Sequence, residues 1–360
     1  MNTNLWFIEI YSINYFEGVN HMTKMKAVGL HRYLPITDPE SLLDLEIPKP
    51  TPQDHDLLVR VQSISVNPVD TKVRSPKDRV EEQPKILGWD VAGIVEETGP
   101  KTTLFKKGDH VFYAGSITRQ GANSEYHLVD ERIVGRKPKT LSFPEAAALP
   151  LTSLTAWEAL FDRLGIPETG NEKTNLLIIG AAGGVGSIAI QLAKRAGLTV
   201  IGTASRPEST DWIKDRGADH VINHYEEFVP QLKQIALEHV DYILCLNRTD
   251  MHWDNMAKAI KPQGKICSIY ETDEKLNLYP LFNKSVTFVW ELMFTRAMFQ
   301  TPDMMKQHEI LNKISDLIDS GILKTTVNEV LSPINAENVR KGHAMLEEGK
   351  TIGKIVLEGF

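Results

Sequence analysis

The sequence predicts an α/β protein in two parts, a β-rich unit followed by a doubly wound parallel sheet, and three observations carry that reading. From Met25 to Pro150 short apolar runs are broken by Gly and Pro, with no long amphipathic helix. From Leu151 onward apolar strands alternate with helical segments. Where that alternation begins, a glycine-rich turn, Gly180–Gly186, sits between a strand and a helix.

In the first part Leu57–Ser65 alternates as a half-buried strand does, Asp90–Glu97 and Asp109–Tyr113 supply further strands, and Pro48, Pro50, Pro52, Pro68, Gly88, Gly99 and Gly108 punctuate them. A small barrel or sandwich results. In the second part Asn175–Ile179 is continuously apolar, Ser187–Ala196 is a helix stopped by Gly197, and Leu198–Thr203 is the next strand. Pro207–Arg216 is a helix with Pro at its start and Gly217 past its end. Asp219–Ile222, Asp241–Leu246 and Lys265–Tyr270 continue the strands, with Glu226–Glu238 and Met251–Ile260 as the helices between them. Strands apolar along their whole length belong to a parallel sheet covered on both faces. After a strand at Val286–Trp290, helices at Asp303–Ser320 and Ala336–Glu348 precede a closing strand, Ile352–Leu357. The division expected is 25–150 for the β-rich unit, 151–296 for the parallel-sheet unit, and 297–360 returning to complete the first. Residues 1–24 are aromatic-rich but lack a basic start and carry Glu9 and Glu17, so they are read as an extension outside the fold rather than a signal peptide.

A chain of 360 residues with net charge −7 and scattered Lys and Arg offers no concentrated basic surface, which argues against nucleic acid. No stretch of 18 apolar residues exists to span a membrane. The two cysteines, Cys245 and Cys267, lie in strand-like runs and read as buried thiols, which fits a reducing, cytoplasmic setting.

The turn reads Gly180-Ala181-Ala182-Gly183-Gly184-Val185-Gly186. Gly183 and Gly186 match the second and third glycines of the dinucleotide fingerprint, and Ala182, Gly183, Gly184, Val185 and Gly186 are the residues expected to face a pyrophosphate. That chemistry needs close backbone approach and the free N–H groups of a helix start. The second strand ends in Thr203-Ala204-Ser205-Arg206, without the acid that holds a ribose 2′-hydroxyl in NAD enzymes. Ser205 and Arg206 instead offer a hydroxyl and a guanidinium fork to a 2′-phosphate, so NADPH is the cofactor expected.

These residues resemble the medium-chain dehydrogenase/reductase superfamily, in its zinc-independent quinone-oxidoreductase branch. The matching segments are Ser65–Asp70 (SVNPVD), Leu87–Gly93 (LGWDVAG), Lys107–Val111 (KGDHV), Ala146–Leu160, the glycine-rich turn, Gly217-Ala218-Asp219 and Ile352–Leu357 (IGKIVL). The resemblance implies a GroES-like catalytic domain, a Rossmann domain, an active site in the cleft between them, and a homodimer joined through the Rossmann sheets. In the zinc members a Cys stands where this chain has Asn67, a His where it has Trp89 and a Cys where it has Leu151, so no metal is expected here. Without a Lewis acid, reduction of an electron-poor acceptor is the easier chemistry. Hydride transfer from NADPH to a quinone or an α,β-unsaturated carbonyl is therefore expected. The alternatives are a metal-free alcohol or aldehyde (carbonyl) reductase and a non-catalytic NADPH-binding sensor.

For catalysis the resemblance points to Asn67, which could equally make a turn before Pro68, and to Thr155, whose family counterpart contacts the nicotinamide and which could equally be a buried helix hydroxyl. It also points to Lys72, with Arg74 beside it, where relatives often carry a Tyr; a solvent-facing lysine is the plainer alternative. His224, after the third parallel strand, and Lys354, near the C-terminus, match positions that contact the cofactor in some relatives.

Overall fold

Hydrophobic alternation in the first part and continuous apolar strands in the second produce three sheets in the computed structural model, which describes residues 23–360. The extension assigned to 1–24 thus falls outside the described residues except for Thr23 and Lys24, and Lys24 opens the first strand.

Two antiparallel-rich sheets build the β-rich lobe. The smaller places Lys24–Tyr33 between Leu43–Pro48 and Lys77–Ile86. The larger runs Val327–Leu331, Lys354–Glu358, Asp56–Ser65, Val91–Thr98, His110–Tyr113, Gly135–Arg136, with Tyr126–Asp130 also pairing to Asp56–Ser65. The two C-terminal strands, Val327–Leu331 and Lys354–Glu358, therefore sit in the sheet begun by the N-terminal half, where Val356 faces Ser65 in antiparallel register. Leu57, Val59, Val91 and Val111 fill the space behind it and are fully buried.

The third sheet is parallel throughout, in the order His220–Ile222, Thr199–Thr203, Asn175–Ile179, Val240–Cys245, Ile260–Ser268, Thr287–Trp290. Asn175–Ile179 lies inside it, and the strand order reverses there, which opens a crevice at the carboxyl ends of the strands. The backbone corrects two expectations. The helix read at Glu226–Glu238 spans only Phe228–Gln234, because Ala236 adopts φ 61° and turns the chain toward the next strand. The strand read at Lys265–Tyr270 begins instead at Ile260, which already pairs with Val240, and ends at Ser268. One helix leaves no periodic signal at all. Pro150–Trp157, which continues as a π-helical segment Glu158–Arg163, has all eight residues of its first part buried and so shows no polar face.

Candidate active site

Strand Asn175–Ile179 delivers the glycine-rich turn to the mouth of the crevice, and helix Gly184–Arg195 starts from it. Gly180 takes φ 79°, and a Cβ on Gly186 would lie 2.4 Å from the Ala181 carbonyl oxygen, so both positions exclude larger residues. A Cβ on Gly184 would meet Lys354 Cδ at 2.6 Å and Thr152 Cγ2 at 2.9 Å. Ala182, Gly183, Gly184 and Val185 remain partly exposed, and the first-turn N–H groups of a helix have no intrahelical acceptor. The turn is braced from behind: the Ser187 hydroxyl donates to the Gly183 carbonyl (2.8 Å), and the Trp212 indole N–H donates to Ser187 Oγ (2.8 Å). It is braced from the other lobe as well, since the Gly353 N–H donates to the Ala182 carbonyl at 2.9 Å.

At the end of the second strand Ser205 is exposed and Arg206 half-buried. The Arg206 guanidinium donates to the Lys350 carbonyl at 2.7 Å, which draws exposed Lys350 beside it. Lys350 is a residue that sequence reasoning misses, because nothing local marks a lysine in a turn as the neighbour of an arginine 144 positions away. His224 is half-buried near the end of the third strand, its Nδ1 without a partner, and burial holds its pKa below the ordinary value. Its ring is 6.2 Å from that of His252, which burial first and His224 second push down to about 4.

Asn67 and Lys354 meet at the floor of the cleft, with Asp90. The Lys354 ammonium donates to Asp90 Oδ2 (3.0 Å), to the Val66 carbonyl (3.0 Å) and to the Asn67 amide oxygen. The Asn67 amide nitrogen donates to Asp90 Oδ2 (3.0 Å) and the Ser65 carbonyl (3.3 Å). The other Asp90 oxygen accepts from the Leu151 N–H at 2.8 Å. Asn67, Asp90 and Lys354 are all buried. Burial pushes the Asp90 carboxyl up, against the pull of Lys354, the Leu151 N–H and the Asn67 amide. Asp70, which accepts from the Asn67 N–H at 2.6 Å, is pushed up to about 7, again by burial first. Neither Asp70 nor Asp90 is among the expected site residues, although Asp90 stands where zinc members usually carry a Glu and a carboxylate inside the apolar run LGWDVAG is a visible signal.

This arrangement redirects three of the expected roles. The Asn67 amide has both its nitrogen and its oxygen engaged beneath the cleft, so it presents no free donor there. Lys354 lays its stem against Gly184 but turns its ammonium inward to three acceptors, away from the N–H groups of the turn. Thr155 is also occupied, its hydroxyl donating to the Leu151 carbonyl one turn back at 2.8 Å. Arg74 is buried and structural, donating to the Leu34 carbonyl (2.6 Å) and pairing with Glu347. Lys72 stands at the outer lip, where its ammonium lies 2.8 Å from Glu271 Oε1 and 4.1 Å from the Tyr270 ring centre, both across the cleft.

Trp89 and Leu151, the other two positions of the zinc-ligand pattern, hold an indole and an aliphatic chain. The Trp89 N–H donates to the Ser116 carbonyl at 3.2 Å, and its ring meets Phe294 edge-on at 6.2 Å. Among the described residues no group of three His, Cys, Asp or Glu is placed to hold a metal ion. An amide oxygen facing an ammonium, an indole and a leucine do not make a zinc donor set. Behind the Ser116–Asn123 loop, the Tyr113 hydroxyl bonds His127 Nδ1 (3.0 Å) while His127 Nε2 bonds the Gln120 carbonyl (3.0 Å). Burial keeps this imidazole neutral, with its pKa near 4.

Comparison with known proteins agrees with this architecture. Residues 53–139 match the alcohol dehydrogenase GroES-like domain family, and residues 216–357 match the zinc-binding dehydrogenase family. A zinc-type alcohol dehydrogenase-like protein of Staphylococcus aureus is 47% identical over 335 residues, covering 92% of this chain and 99% of that protein. The crystal structure of a putative zinc-dependent alcohol dehydrogenase protein from Rhizobium etli superposes with a TM-score of 0.90 at 51% identity, covering 94% of this chain and 99% of its own. The Escherichia coli quinone oxidoreductase complexed with NADPH gives a TM-score of 0.76 at 26% identity, covering 92% and 99%. No helix among the described residues is long and apolar enough to cross a membrane. With a Rossmann-like parallel sheet, a GroES-like lobe and relatives matched over almost their whole length, the chain belongs to the medium-chain dehydrogenase/reductase superfamily of nicotinamide-dependent oxidoreductases.

Proposed function

We propose that the protein reduces quinones or α,β-unsaturated carbonyls with NADPH and without a metal. The observation that carries this reading is the floor of the cleft, where Asn67, Trp89 and Leu151 replace a donor set and a lysine ammonium lies beside Asp90. A second cation placed against that ammonium would be repelled, and none of the three side chains offers a thiolate or imidazole.

The cradle fits a dinucleotide phosphate. The partly exposed turn residues Gly183 and Gly184 would receive a pyrophosphate at the helix start, and Ser205 and Arg206, with Lys350 next to Arg206 through its carbonyl, would hold a 2′-phosphate. His224 would cover the adenosine end. When bound, NADPH supplies the hydride. The chain's own part is to orient the acceptor in a cleft backed by buried Trp89 and Phe294, to exclude water, and to hold the floor rigid through Lys354 and Asp90. Lys72 is the cation able to reach an acceptor oxygen from the lip, on release from Glu271. In keeping with its family, we also infer a homodimer formed along Thr287–Trp290. That strand has a neighbour on one side only and lies close to exposed Tyr279, Phe282, Trp290 and Leu292.

The test is steady-state oxidation of NADPH, with NADH as control, against a panel of quinones and enones, with and without a chelator. Rapid loss of NADPH, slow loss of NADH and indifference to chelator are expected. Chelator-sensitive turnover would overturn the metal-free reading, and tight NADPH binding with no turnover on any acceptor would favour a sensor.

A further inference from the structure

Behind the wall of the cleft lies a cluster that the proposed reaction does not use. Glu158, in the π-helical segment, and Glu291, just after strand Thr287–Trp290, have side chains shut off from solvent. Glu158 Oε1 is 2.8 Å from the Arg296 guanidinium, and Glu291 Oε2 accepts from Arg163 Nε at 2.7 Å. Arg163 also approaches Glu158 Oε2 at 3.9 Å. The remaining oxygens, Glu158 Oε2 and Glu291 Oε1, are buried and find no protein donor. The two carboxyl groups are hydrogen-bond partners of each other, so one shared proton would make one group a donor and the other its acceptor.

The pair is tied to the cleft. The Glu291 N–H donates to the Ser268 carbonyl at 3.0 Å, fixing the start of the segment that carries Met293 and Phe294. Gln307, which approaches Glu158 Oε1 at 3.5 Å, donates to the Met293 carbonyl at 2.6 Å. Phe294 then packs on Trp89. We propose that Glu158 and Glu291 hold a single proton between them and act as the positioning pair for the buried Met293–Phe294 segment that packs behind the cleft, so that the acceptor pocket keeps its shape only while that proton is in place. This rests on the reading that the cleft beside Trp89 receives the acceptor.

The charged groups facing the pair are Arg163 and Arg296, with Asp162 and Asp303 on the far side of Arg296 and the Cys267 thiol beneath Glu291. Burial first, and then Glu158, push Glu291 up to about 8, while burial raises Glu158 as well. Between the ordinary carboxyl range and about 8 the folded protein therefore keeps a proton that the unfolded chain has lost, so stability falls as pH rises through that window and levels above it. Above the window the competent wall is depleted, and KM for the acceptor should rise about tenfold per pH unit while KM for NADPH stays flat.

The experiment compares wild type, Glu291→Gln and Glu158→Gln by infrared spectroscopy, urea denaturation against pH, and acceptor KM against pH. Wild type should show a protonated buried carboxyl at neutral pH, a stability slope in the window, and the alkaline rise in KM. Glu291→Gln, whose amide can donate as the shared proton does, should lose its share of the carboxyl band and of the slope, leaving what Asp70 and Asp90 contribute, and should hold its KM at alkaline pH. Absence of a buried-carboxyl band from the difference between wild type and Glu291→Gln, or the same alkaline rise in both, overturns the proposal. If Glu291→Gln does not fold, the difference between wild type and Glu158→Gln decides. If no acceptor is turned over, the functional reading fails alone, because the spectrum and the stability slope still judge the proton.

Discussion

At the floor of the cleft Asp90 and Lys354 are paired out of reach of water, whereas Ser205, Arg206 and Lys350, the end proposed for the adenosine, are exposed or half-buried. The floor is costly to disturb because a buried charge that loses its partner has nothing to replace it. The adenosine end is cheap to disturb, since water takes over when a ligand leaves. On the proposed function, rigid shape is built where the acceptor would be placed, and choice between cofactors would be left to groups that fold without it.

The largest expected effect breaks this contrast directly. Lys354→Met leaves Asp90 buried and unpaired and should destabilise the protein by about 3–5 kcal/mol, read by urea denaturation at neutral pH. A change within measurement error would mean that the floor is wetter than its hydrogen bonds indicate. Arg206→Ala should leave stability nearly unchanged but weaken NADPH binding by about ten- to a hundredfold, with NADH affinity unaltered in a fluorescence titration. Equal loss for both cofactors would remove the 2′-phosphate from the assignment. Lys72→Ala tests the lip between these extremes. Its pairing with Glu271 is exposed, so the stability change should stay under about 1 kcal/mol, while acceptor KM should rise if the ammonium serves the substrate. An unchanged KM would leave Lys72 as a surface contact across the cleft.

The parts of the fold legible in the sequence are those whose chemistry is local. Asn175–Ile179 is apolar at nearly every position because both faces of a parallel sheet are covered, and the turn after it is marked by Gly180 and Gly186, whose backbone φ and close approach to Ala181 no larger residue permits. The strand Lys77–Ile86 leaves no such mark, because it is polar, largely exposed and carries Pro84, all tolerable on the edge of a small sheet. The floor of the site is only half legible. Asn67 can be singled out by its place, but its partner Lys354 lies 287 positions away, and no local pattern tells an inward lysine from an outward one. The same holds for Glu158 and Glu291, which look like ordinary helix and loop acids until the fold closes over them.

The hydrogen bond from Gly353 to Ala182 has a consequence for how the chain is made. The glycine-rich turn leaves the ribosome long before its brace does. Until strand Lys354–Glu358 is synthesised the turn lacks its support from the other lobe, and Lys354 is not yet there to meet Asp90. A nascent chain halted before residue 353 would carry the whole glycine-rich turn without its brace, so on the proposed function cofactor capture should be among the last events of biogenesis.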